Sequence, residues 1–158
     1  GADPMGQYFV MSRHFNRKSA ADFGLLEKDS AHAISPKDHS LWVKVDLYDF
    51  GWGKETGYFR QPLPDFNGLL RLVLHSDDEE DSYGAAAILL DRYPDEILCT
   101  CEAFLKNSAE KENLKKISDI LCLSLPVNRS PILHQSLSQI SENYERWKQL
   151  AKQVSSLF

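Results

Sequence analysis

Five consecutive acids, Asp77, Asp78, Glu79, Glu80 and Asp81, are the chain's densest charged feature, and His75 stands two residues before them. Carboxylates beside an imidazole are the raw material of acid–base catalysis or of a hard-metal site. Their spacing argues against both uses. Adjacent residues on a helix diverge by about 100°, so neighbouring acids point apart, and Asp77 with Asp81, or Asp77 with Glu80, could face one ion. The run also lacks the glycine and terminal glutamate of a calcium loop. Two other roles remain. Acids in a first helical turn are stabilised by the helix dipole. Clustered carboxylates also form docking surfaces for basic partners.

A second concentration of reactive surface is aromatic. Trp42, Tyr48, Phe50, Trp52, Tyr58 and Phe59 fall within 18 residues, with Asp46, Asp49 and Glu55 among them. Aromatic rings dominate both cores and binding hot spots. Trp52 lies between Gly51 and Gly53, where a large ring on a loop tip must either pack or bind. The candidate partner-binding set is therefore the run from Asp77 to Asp81 together with Trp52, Tyr48, Asp49 and Glu55.

No further motif points to catalysis. His14, His32, His39, His75 and His134 occur in neither H-x-H nor H-E-x-x-H. There is no G-x-S-x-G and no phosphate-binding G-x-x-x-x-G-K-[ST]. Gly51, Gly53 and Gly57 do not have the dinucleotide spacing. Cys99, Cys101 and Cys122 form no C-x-x-C, and an odd, sparse count is not a disulfide framework. No metal or cofactor is expected.

Charge narrows the partners. The 158 residues carry a formal net charge of -5. The first 79 hold 9 Lys+Arg against 12 Asp+Glu, and the last 79 hold 9 against 11. Nucleic-acid binders cluster basic residues to neutralise phosphate. Here the densest basic stretch, Lys111, Lys115 and Lys116, is interleaved with Glu110 and Glu112. Nucleic acid is thus disfavoured. So is a membrane, because no apolar run approaches the roughly 18 residues that spanning requires. With no signal-peptide pattern, a cytoplasmic location is the expectation. Gly1-Ala2-Asp3-Pro4 before Met5 has the look of a cloning remnant, leaving 5–158 as one domain.

The elements that must position these residues divide in two. Residues 5–64 are aromatic-rich and punctuated by glycine. Tyr8 to Met11 suits a short strand. Ala20, Ala21, Leu25 and Leu26 suit a short helix weakened by Gly24, and 30–40 a loop. Leu41, Val43, Val45 and Leu47 alternate with Trp42, Lys44, Asp46 and Tyr48, the clearest strand pattern. Its aliphatic face should meet the core, and its polar-aromatic face should be partly exposed. A glycine-rich loop over 51–57 then leads to a return strand at Tyr58 to Arg60.

Residues 65–158 have helical periodicity almost throughout. Asp65 suits an N-cap. Ser76-x-x-Glu79 matches a capping box, and the helix after it is apolar on all sides, as a central helix should be. Pro94 suits a first helical turn, and Asn107 and Ser108 suit caps. Ser130 as N-cap with Pro131 would open a last helix. Leu133, Leu137, Ile140, Tyr144, Trp147, Ala151, Val154 and Phe158 follow at heptad spacing. That seam packs along its own domain, or pairs between copies through 131–158 to give a homodimer.

The sequence therefore predicts an α+β fold. A small N-terminal antiparallel β element precedes a predominantly helical array of about five helices, ending in a long amphipathic one. The functional expectation is non-catalytic protein binding in a bacterial-type cytosol, in the manner of an immunity or antitoxin protein that inhibits a basic toxin. The alternatives are a small hydrolase using carboxylate and histidine, and a helical scaffold that self-associates through its last helix.

Overall fold

A computed structural model of the chain describes residues 8–11, 19–49, 53–123, 129–130 and 133–158. The fold is α+β: a five-stranded antiparallel sheet, then five α-helices of which the last is long. The chain forms two compact units, Gly1–Ala87 and Ile88–Phe158.

In the first unit the strands are β1 (Phe9–Met11), β2 (Leu26–Glu27), β3 (His32–Ile34), β4 (Leu41–Asp49) and β5 (Gly53–Arg60), in the order β1-β5-β4-β3-β2. The β4–β5 hairpin carries the sheet, with Trp42 opposite Arg60 and Val43 opposite Phe59. Directly opposed residues share a face. Val10, Ala33, Trp42 and Tyr58 therefore lie on one side, where Ala20, Phe23 and Leu25 close over them as a small core. Phe23 meets the Tyr58 ring edge-on at 5.7 Å between centroids.

Three expectations for this region are corrected. Trp42, expected on a partly exposed face, is buried, while Leu41, Val43 and Val45 are half-buried. The reason is the cover supplied by residues 20–25, which turns the aromatic side into a core. Residues 53–57 belong to β5 and not to a glycine-rich loop, because pairing with β4 outweighs glycine's weak strand preference. Residues 32–34, expected in a loop, form β3. The short helix is one 3-10 turn, Ala20–Phe23, stopped by Gly24 at φ 77°, a left-handed conformation that glycine adopts freely.

Helix α1 (Phe66–His75) is capped by Asp65, whose side chain accepts from the Gly68 amide at 2.9 Å. Helix α2 (Glu79–Arg92) follows at once and crosses the boundary between the units. Ser82 Oγ donates to Leu72 O at 3.1 Å, tying α2 to α1. Ala85, Ala86, Ala87, Ile88 and Leu89 are all buried, which accounts for the apolar character of α2 all round.

The second unit contains α3 (Pro94–Leu105), α4 (Lys111–Leu121) and α5 (Leu137–Leu157). Pro94 opens α3, where its missing N–H costs nothing. Ile97, Leu98 and Cys101 of α3, Leu114, Ile117 and Leu121 of α4, and Trp147, Leu150, Ala151 and Val154 of α5 are buried. Helix α5 starts later than its sequence suggests. Ser136, not Ser130, is its N-cap, accepting from the Gln139 amide at 3.1 Å. The Ser130 hydroxyl is engaged elsewhere: it donates to Asp95 Oδ1 at 2.8 Å and accepts from Trp147 Nε1 at 2.9 Å.

Candidate functional site

The acidic run does not form one surface. Asp78 is the cap of α2, accepting from the Asp81 amide at 3.1 Å, while its own amide donates to Ser76 Oγ at 3.1 Å. The capping pair is thus Asp78 with Asp81, shifted two residues from Ser76 with Glu79. Asp81 points inward and is 1% exposed. Its Oδ1 accepts from the amides of Tyr8 and Phe9, both at 2.8 Å, and so anchors β1 to the first turn of α2. Burial is the largest influence on this carboxyl and pushes its pKa up to about 6, against the two amide hydrogen bonds that oppose the shift. One turn later Gly84 lies against Phe9: a Cβ there would stand 2.4 Å from Phe9 Cγ. These two residues explain why β1 and α2 approach so closely. What the run presents to solvent is Asp77 and Glu79, with Glu80 half-buried.

The aromatic cluster separates in the same way. Trp42, Tyr58 and Phe59 are core residues. Trp42 Nε1 donates to Ser40 Oγ at 2.8 Å, and Ser40 Oγ donates to Asp38 Oδ1 at 2.6 Å. The Ser40 hydroxyl and amide hold the Asp38 carboxyl below the usual carboxylate range. The β4–β5 register sets Tyr48 opposite Lys54, Asp49 opposite Gly53 and Glu55 opposite Leu47. Trp52 and Phe50 lie outside the described residues.

Histidine and cysteine give no converging site among the described residues. His32 Nδ1 lies 2.9 Å from Asp29 Oδ1 on an exposed turn. The Ala31 amide, and then His32, hold the Asp29 carboxyl below its ordinary value. His39 is exposed with φ 60°, and His75 is exposed at the end of α1. No group of three or more His, Cys, Asp or Glu among the described residues could hold a metal ion. Cys101 is buried, which raises its thiol to about 12. Cys99, two residues away on α3, is exposed. Arg146 of α5 donates to Cys99 Sγ at 3.4 Å and forms an ion pair with Glu102. A groove of about 170 Å³ beside this pair is lined by Glu102, Leu105, Lys106, Arg146 and Gln149. It is smaller than the roughly 300 Å³ at which ligand pockets begin.

The heptad seam expected to pack inward or to pair between copies through 131–158 divides between core and solvent. Leu133 is 78% exposed, Leu137 87% and Tyr144 44%, while Trp147 is fully buried. Heptad spacing marked all four as one seam. The helix turns the later part of that seam inward, through Trp147, Ala151 and Val154, with Asn143 and Leu150 buried beside it. Trp147 fixes that rotation, because its indole must reach Ser130, and the Arg129 guanidinium lies 5.3 Å from its ring centroid. Arg129 also donates to Leu121 O and Cys122 O at the end of α4, at 3.3 and 2.9 Å. The front of the seam is left facing solvent.

No protein-family model matches the chain, and neither curated proteins nor solved structures give a match. No helix among the described residues is long and apolar enough to cross a membrane.

Proposed function

We propose that this protein is a non-catalytic protein-binding domain whose contact surface is the exposed side of α5. One observation supports the reading above the others: Leu137 and Tyr144 of α5, and Leu133 in the turn before it, stand in solvent, while the other side of the helix is a closed core. Large apolar groups grouped at a surface mark contact sites, because covering them removes apolar area from water. The acidic surface expected from the sequence contributes less, since Asp78 and Asp81 serve the fold. The narrower role of an inhibitor of a basic toxin rests on Asp77 and Glu79, which are exposed.

Size-exclusion chromatography of native extract tests the reading. The wild-type chain should elute in an assembly larger than its 18.0 kDa. The double variant Leu137→Ser, Tyr144→Ser should elute at the mass of the single chain. Elution of the wild type as a single chain would count against binding through this face.

A further inference from the structure

Resting on that reading, we propose that the occupant of the α5 face is a second copy of this chain, with the two α5 helices antiparallel. Apolar and charged residues share one exposed side of the helix in an order that fits such a pair. At about 100° per residue, Leu137, Tyr144 and Phe158 lie within about 60° of one another. Lys148, Lys152 and Glu145 follow on one flank of that stripe, about 20°, 60° and 80° round from Leu137. All six are exposed.

A two-fold axis perpendicular to a helix pair brings the same flank of each copy together, whereas a parallel pair brings opposite flanks together. Glu145, Lys148 and Lys152 share a flank, so they meet only in the antiparallel arrangement. The register agrees. With Leu137 of one copy opposite Phe158 of the other, Glu145 comes opposite position 150, midway between Lys148 and Lys152 of the second copy. Symmetry repeats the contact. One alignment therefore sets exposed Leu137 against exposed Phe158 and acid against base, each twice, with Tyr144 of each copy opposite position 151 of the other. The apolar contacts supply the attraction, and the charges fix the direction.

Sedimentation velocity on the purified full-length chain tests this. The wild type should show a reversible, concentration-dependent monomer–dimer equilibrium. Glu145→Lys alone should weaken it about tenfold, as should the pair Lys148→Glu, Lys152→Glu. An equimolar mixture of the two variants should recover wild-type affinity, because each mixed contact again pairs acid with base. Circular dichroism melts should show both variants folded, their altered residues being exposed. A mixture no tighter than its separate components would overturn the antiparallel pairing. A purified wild type that stays monomeric would overturn the second copy as occupant. If the chain in native extract still ran in a larger assembly dependent on Leu137 and Tyr144, the protein-binding reading would stand without it.

Discussion

Asp81, in the first turn of α2, accepts a hydrogen bond at 2.8 Å from the amide of Phe9, 72 residues earlier in the chain. The same Oδ1 takes the Tyr8 amide. Asp81→Asn keeps that oxygen and should retain the fold. Asp81→Ala removes it and strands two amides, at least one of them buried. The alanine variant should lose about 2–3 kcal/mol in urea denaturation, with the asparagine variant close to wild type.

The pKa of Asp81 sets a pH dependence. Its folded value of about 6 lies above the ordinary 3.8. Between these values the folded state holds more protons than the unfolded state, so this group's contribution falls as pH rises and levels off above about pH 6. The total should be on the order of 2 kcal/mol. Stability measured from pH 4 to 7 should show this decline in the wild type, and Asp81→Asn should lack that component.

Gly84 and Phe9 make a second tight contact between the same elements. Gly84→Ala improves helix propensity by about 1 kcal/mol, yet its Cβ would fall 2.4 Å from Phe9 Cγ. Overpacking should win, leaving a net loss of about 1–3 kcal/mol in denaturant unfolding. Phe9→Ala would remove Cγ and Cδ1 but keep Cβ, 2.6 Å from the added methyl, so combined with Gly84→Ala it should relieve the clash only in part, and the double-mutant cycle should be non-additive.

Within the acidic run, structural and surface acids should separate by stability. Asp78→Ala removes the α2 cap and should cost about 1 kcal/mol. Asp77→Ala, at an exposed position, should stay within about 0.5 kcal/mol of wild type. Thermal melts of the two variants side by side check this.

Much of the helical half was legible because its signals are local. Asp65, Pro94 and Asn107 all mark helix or turn starts within a few residues of where the sequence places them. The start of α5 was not, because two serines competed for it. Ser130 has the better local context, with Pro131 behind it, but its hydroxyl serves Asp95 and Trp147, contacts across 35 and 17 residues. Strands β2 and β3, of two and three residues, are too short for periodicity and exist through their ladder partners, as Ala33 does opposite Trp42. The burial of Asp81 depends on β1, which no window around residue 81 contains. On α5 the spacing identified an apolar seam, but which part of it faces inward was decided by the indole of Trp147.

Ser130→Ala tests that last point. It would leave the fully buried Trp147 Nε1–H without its acceptor and Asp95 without its donor. The expected loss is about 1–3 kcal/mol in denaturant unfolding, with Trp147 fluorescence altered in the folded state.

The most direct test of protein binding through α5 is photo-cross-linking in native cells, with the reactive side chain placed at Leu137 and, as a control, at exposed Lys115 on α4. The account predicts a discrete adduct from position 137 and none from position 115. An adduct of twice the chain mass would identify a second copy, and one of another mass a different partner. No adduct at 137, or the same diffuse pattern at both positions, would contradict the account.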